Sequence, residues 1–250
     1  MGVLNLEHIT FGFAKGKPLL KDLSLSLEEG KIYALMGGNG SGKTTLFNLI
    51  TGFHKTKQGS VIFNSNDITN LPPHKINQLG IGRTFQDLRL ISKLTVKENV
   101  LLSMKGNPTD SWHKALLPHS LYKKEIALLN AKASSLIAEY FLSDIENSMA
   151  GEISYGQQKL LNLACCVANE ATLLLLDEPL AGINPEYRNR ISSLLKKLKE
   201  NGKTIFMIEH HTESIEQLAD SIFFLSNGYI KDYNNYQQLK TDPLVLEAYL

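Results

Sequence analysis

Nine consecutive residues constrain this chain more than any others: Gly37-Gly38-Asn39-Gly40-Ser41-Gly42-Lys43-Thr44-Thr45. They match G-x-x-x-x-G-K-[ST], follow the apolar burst Ile32–Met36 and open an apolar helix, so the motif reads as strand, glycine loop and helix in succession. Glycines let the backbone curl with its N–H groups aimed inward, and the helix N-terminus adds partial positive charge. A tri-anionic phosphate chain satisfies both. Lys43 is expected to reach the β- and γ-phosphates and the Thr44 hydroxyl to ligate Mg²⁺, with Thr45 a helix residue near the phosphates. The alternative, a glycine-rich turn that merely caps a helix, fits the strand and helix context less well.

A second apolar strand, residues 173–176, runs into Asp177-Glu178-Pro179. Strand C-termini are where open parallel sheets place their ligands. Adjacent residues on an extended strand point opposite ways, so the two acids can take different tasks. Asp177 is the natural holder of Mg²⁺, directly or through water, and Glu178 the group that accepts a proton from an attacking water. A third apolar run, residues 205–208, ends in Glu209-His210-His211. Either histidine alone is more often a helix cap or a surface residue. Its place after a strand parallel to the Asp177 strand favours His210 as a γ-phosphate contact that positions the water.

Around these motifs the pattern is that of an α/β domain. Residues Ile9 and Phe11, then Leu23, Leu25 and Leu27, alternate as in strands, with Gly16 and Gly30 at turns. The stretch 73–102 holds two short helical candidates around a strand-like 81–85. Between Lys105 and Tyr122 periodicity is lost, which reads as a loop or short helices. Ile126, Leu129, Ala133, Leu136, Ile137, Tyr140 and Phe141 recur at helical spacing. After them come strand 173–176, helix Pro185–Glu200, strand Thr204–Ile208 and helix 213–219, the order of a parallel sheet covered on both faces. A chain of 250 residues allows one such domain with a helical insert, placed at about residues 90 to 165.

Composition excludes several classes. With 26 Lys and Arg against 25 Asp and Glu, the net charge of +1 offers no field to gather nucleic acid, so no nucleic-acid partner is expected. Cys165 and Cys166 are adjacent in an apolar helical stretch and read as packing residues rather than a disulfide or metal site. No apolar run approaches the ~18 residues of a spanning helix, and the start MGVLNL lacks a signal-peptide core and a myristoylation motif. The chain therefore reads as cytoplasmic without direct membrane insertion, and any membrane link must go through a partner.

The segment Ile153-Ser154-Tyr155-Gly156-Gln157-Gln158-Lys159 opens a helix, and on its own it is a capping box, Ser154 as N-cap with Gln157 reaching back. Its company changes the reading. With GGNGSGKTT, ISYGQ, LLLLDEP and IEH in this order, together with Gln86 in RTFQ and the run Ala181-Gly182-Ile183-Asn184-Pro185, the chain resembles ABC ATPases over essentially its full length. The resemblance implies a P-loop cassette over residues 1–250 with a mostly parallel core sheet, an antiparallel β region and a helical subdomain. It implies that Gln86 joins the Mg²⁺ shell and moves with a transmembrane permease partner. It also implies that Ser154 and Gly156, with Gln157, bind the ATP held by a second ATP-binding subunit, identical or not, and that Phe13 stacks on adenine. Phe13 is otherwise a core residue beside a strand.

Within that family the stretches LPPHKINQLGIGRTFQDLRLISKLTVKENVLLSM, SYGQQ, LAGINPE and DPLVLEAYL are most similar to ATP-binding subunits of branched-chain amino acid importers. Such a subunit hydrolyses MgATP on the cytoplasmic face of the cell membrane. Subunits for urea, other amides or lipopolysaccharide export look similar. The rivals are an exporter cassette, a soluble cassette of DNA repair or translation, and a regulator that never turns over. Departures from the family pattern are Gly38 for Pro, Tyr155 for Gly, Asn184 and His211 for Asp, and Cys165 for an arginine of the signature helix.

Overall fold

The computed structural model describes residues 2–13, 16–105 and 123–249, so most of the aperiodic stretch between Lys105 and Tyr122 lies outside the described residues. Contacts divide the chain into two compact units, one of residues 1–83, 172–182 and 192–250, the other of 84–171 and 183–191.

The first unit contains two sheets. The alternating residues form strands β1 (Leu4–Phe11) and β2 (Leu20–Leu27), which pair antiparallel with Leu4 opposite Leu27 and Leu6 opposite Leu25. Strand β3 (Ile32–Met36) and helix α1 (Lys43–Ile50) flank the glycine loop. Strands β4 (Gln58–Phe63) and β5 (Asn66–Asp67), which the sequence pattern did not reveal, extend the antiparallel sheet to the order β2-β1-β4-β5. Helix α2 (Pro73–Leu79) leads into β6, which is only Ile81–Arg83 rather than reaching residue 85.

The second unit carries α3 (Val96–Ser103), α4 (Lys123–Glu139), the 3₁₀ turn Ser143–Ile145 and α5 (Tyr155–Ala168). Ala133 and Ile137 bury the inner face of α4. Phe141 departs from its expected place on that face. It lies beyond the helix end at φ 59°, exposed, with the Arg190 guanidinium 5.2 Å from its ring. Lys97 holds Glu146 at 2.6 Å, and Ser134 donates to the same carboxylate, which keeps Glu146 below the usual carboxylate range.

Strand β7 (Leu173–Asp177) returns the chain to the first unit, followed by α6 (Pro185–Glu200), β8 (Thr204–Ile208), α7 (Thr212–Leu218), β9 (Ser221–Ser226), β10 (Tyr229–Tyr233), α8 (Tyr236–Lys240) and α9 (Pro243–Tyr249). The larger sheet has the order β10-β9-β3-β8-β7-β6, parallel except for β10. Asn227-Gly228 forms the two-residue turn of the β9–β10 hairpin, both residues at positive φ, a strong turn signal in the sequence.

Tyr33, Leu35, Leu173, Leu175, Phe206, Ile208 and Phe223 on one face of this sheet form a core with Leu46, Phe47 and Ile50 of α1 and the apolar face of the antiparallel sheet. The opposite-parity residues Ala34, Leu174, Leu176, Ile205 and Met207 are equally buried, as in parallel sheets covered on both faces. Among the described residues no helix is long and apolar enough to cross a membrane.

Phe206 is fully buried, with ring centroids 5.2 Å from Phe47 and 5.9 Å from Phe223. Phe206→Ala is expected to lower unfolding free energy by about 3–5 kcal/mol, read from urea denaturation.

Candidate phosphate and hydrolysis site

Three neighbouring strands of the parallel sheet, β3, β8 and β7, end level with one another. Leu35 and Asp177 both pair with Ile208, so whatever follows these residues emerges at one edge. Neighbouring strands lie ~4.8 Å apart, which brings side chains from all three ends within reach of one phosphate group.

After β3 the loop curls tightly. Gly37 has φ 149°, and a Cβ there would lie 2.3 Å from the Leu225 carbonyl oxygen of β9, so no other residue fits without moving the sheet. Lys43 folds back over the loop, its ammonium donating to the Gly37 and Gly38 carbonyl oxygens at 2.8 and 2.9 Å. Burial lowers the Lys43 ammonium below the usual lysine value, while the charges of Glu178 and Asp177 act the other way. Ser41 Oγ is buried with no hydrogen-bond partner, a polar atom left for a ligand. Thr44 is exposed in the first turn of α1 whereas Thr45 is buried. The loop thus fits a phosphate chain. A cavity of about 560 Å³ is lined by Gly38, Asn39, Gly40 and Ser41 together with Lys21 and Leu244.

Asp177 ends β7 and is 3% exposed. Glu178 follows in the left-handed region at φ 49°, its N–H donating to the Ile208 carbonyl at 3.0 Å. That backbone is uncommon for a non-glycine residue and must be held by its surroundings. Its Oε1 lies 3.7 Å from His210 Nε2. Burial lowers the His210 imidazole, the positive charge of Lys43 lowers it further, and Glu178 opposes both. Lys43, Asp177, Glu178 and His210 therefore converge at this sheet edge. Among the described residues no group of three or more His, Cys, Asp or Glu side chains could hold a metal. A divalent cation here would need phosphate oxygens and water among its ligands.

The remaining sequence-predicted residues lie elsewhere in the chain. Phe13 is 70% exposed in the β1–β2 connection, its ring edge-on to Phe11 at 5.1 Å and to His54 at 5.3 Å. Gln86 is exposed just past β6, in the second unit. Also in that unit, Ser154 Oγ accepts from Gln157 N at 3.4 Å and Gln157 Oε1 accepts from Ser154 N at 2.8 Å, the full capping box. Gly156 is fixed by packing, since a Cβ there would meet the Tyr187 ring at 2.5 Å.

Two departures from the family pattern acquire a physical reason. Asn184 Oδ1 accepts from Tyr187 N at 3.0 Å, and His211 Nδ1 accepts from Ser214 N at 3.3 Å. Both cap helices, a job an aspartate would also do. Gly38 has open space where a side chain would stand. Burial pushes the Cys165 thiol up to about 11 and Cys166 up to about 12, so both are inert packing residues. Sequence reasoning missed Glu209, which is 1% exposed and whose carboxylate accepts from Leu180 N and His210 N. An acid directly after an apolar strand beside the predicted histidine was its signal.

Residues 20–181 match the family model described as ABC transporter. Over 250 residues the chain is 33% identical to a probable branched-chain amino acid transport ATP-binding protein, LivG, of Archaeoglobus fulgidus, covering 100% of this chain and 96% of the relative. It is 31% identical to the high-affinity branched-chain amino acid transport ATP-binding protein BraF of Pseudomonas aeruginosa, over 99% of this chain and 97% of that one. A crystal structure of a nucleotide-free ATP-binding cassette from an ABC transporter superposes with a TM-score of 0.85 at 33% identity, over 100% of this chain and 99% of that chain.

The electrostatics of the cluster can be read directly. His210 is expected to titrate below the ordinary histidine value by NMR, and Lys43→Met, which removes the like charge, to raise its pKa. An unmoved His210 titration would place Lys43 outside the cluster.

Proposed function

Because the chain belongs to the ABC transporter family, whose cassettes bind and hydrolyse ATP, we propose that it works as the ATP-hydrolysing subunit of an importer of branched-chain amino acids or similar small solutes. The observation that carries the site assignment is the convergence of Lys43, Asp177, Glu178 and His210 at the level ends of β3, β7 and β8. The family match and the relatives' names support transport over a soluble cassette of DNA repair or translation.

In this reading the N–H groups of residues 37–45 and the Lys43 ammonium bind the β- and γ-phosphates of ATP. Thr44 and Asp177 would hold Mg²⁺, which would neutralise charge developing between the β- and γ-phosphate oxygens. Glu178 takes the proton of the water whose oxygen attacks the γ-phosphorus as the bond to ADP breaks. The His210 imidazole, kept neutral by its lowered pKa, can donate one N–H to hold the γ-phosphate and the water in line. Phe13 offers an exposed ring face for adenine.

Ser154, Gly156 and Gln157 stand at the N-terminus of α5, whose free N–H groups favour an anion. The chain's own phosphates are already cradled by residues 37–45. The second anion is therefore the nucleotide of a second ATP-binding subunit, and ATP links the two chains. Permease subunits would receive the resulting motion, with this chain peripheral on the cytoplasmic face of the membrane.

Glu178→Gln is expected to keep ATP affinity while losing about 10²- to 10⁴-fold in phosphate release; an intact rate would remove Glu178 as the base. The same variant is expected to dimerise in MgATP but not in ADP. Adding Ser154→Arg should abolish the dimer at unchanged monomer affinity, as read by sedimentation and calorimetry. Dimerisation that survives this second change would return Ser154 to an ordinary helix cap.

A further inference from the structure

The residue between β8 and His210 is a carboxylate in a place that disfavours one. Glu209 is almost completely buried, and burial raises its pKa. Burying a charge without compensation is costly, and an apolar side chain would avoid the penalty. Its compensation is backbone donors from two different segments: Leu180 N reaches Oε1 at 3.2 Å, and from the other segment His210 N reaches Oε2 at 2.9 Å, with the His211 N–H also favouring the charged form.

These two segments carry the hydrolytic pair. Leu180 lies two residues beyond Glu178, in the turn after β7, where Ala181 N also bonds back to the Glu178 carbonyl at 3.3 Å. Glu178 is thereby flanked by two anchors to the end of β8, the Ile208 carbonyl on its own N–H and the Glu209 carboxylate on Leu180. Those anchors hold the left-handed backbone at φ 49° that aims its side chain toward His210. On the other side, Glu209 fixes the start of the His210 segment while His211 caps α7.

We propose that Glu209 is a positioning residue which clamps the turn after β7 to the turn after β8 and so sets the Glu178–His210 geometry for hydrolysis. This rests on the reading of Glu178 and His210 given above. Glu209 touches neither phosphate nor water in it and acts only through the two groups it aligns. A glutamine cannot replace it. Its amide has one oxygen, so an NH₂ group must face the backbone donors of one of the two segments, and that turn loses its acceptor.

The test uses the full chain with ATP, measuring phosphate release and, separately, nucleotide affinity by calorimetry. Glu209→Gln is expected to lower kcat roughly 10- to 100-fold, because small misplacements of reacting groups cost that much, with ATP affinity held within about twofold. In a His210→Ala background the same change should cost at least about threefold less than it does alone, since one of the aligned groups is already gone. Glu209→Asp keeps both oxygens but is one methylene shorter, so it should show the same split between kcat and affinity. It decides the matter if the glutamine variant does not fold. An unchanged kcat, a parallel loss of ATP affinity, or a full effect in the His210→Ala background would each overturn the clamp. A wild-type chain without ATP turnover would instead overturn the hydrolytic reading on which it rests.

Discussion

The site depends on the register of three parallel strands. Because Leu35 and Asp177 both pair with Ile208, the phosphate loop, the acidic pair and the histidine segment leave the sheet at one level. A one-residue slip of β7 against β8 would turn every side chain of β7 to the other face and carry Asp177 with it. That register is held by burial on both faces of the sheet, where Leu173 to Leu176 and Ile205 to Met207 are fully enclosed. The geometry of these strand ends is thus secured by apolar packing some distance from any charge.

On this scaffold sits a concentration of buried polar groups that few cores would tolerate. Lys43, Asp177 and Glu209 are all buried, and each is compensated differently. Lys43 leans on two loop carbonyls, Glu209 on backbone N–H groups of two segments, and Lys43 and the two carboxylates beside it temper one another. Ser41 Oγ is left without a hydrogen-bond partner, and it sits in the loop where a phosphate would supply one. Glu178 adds backbone strain at the same spot. Polar groups and strain concentrated at one sheet edge are what a site prepared for a charged ligand requires.

In the second unit helix caps add to burial. Ser154, Asn184 and Thr95 each close a helix N-terminus with a side-chain oxygen, and Gly156 yields its space to the Tyr187 ring. The capping box at Ser154 and a role toward a second subunit's nucleotide are compatible. The hydroxyl accepts from Gln157 N and still has its own hydrogen to donate.

The sequence by itself determined the loop, the acidic strand end and the order of strands and helices around them, because these are local. A glycine loop before a lysine, an apolar strand ending in two acids and a helical period are each written within a dozen residues. What escaped it depends on partners distant in the chain. Strands β4 and β5 exist because β1 offers an edge for Val61 and Phe63 to pair against, and β6 is short because it pairs with β7 only as far as Arg83. Phe141 carried the right spacing but fell beyond the helix end. Glu209 read as one more residue of a conspicuous triplet. Only the tertiary structure brought Leu180, 29 residues away in the chain, to its carboxylate, because hydrogen bonds between strand ends are set by the sheet and not by sequence neighbours.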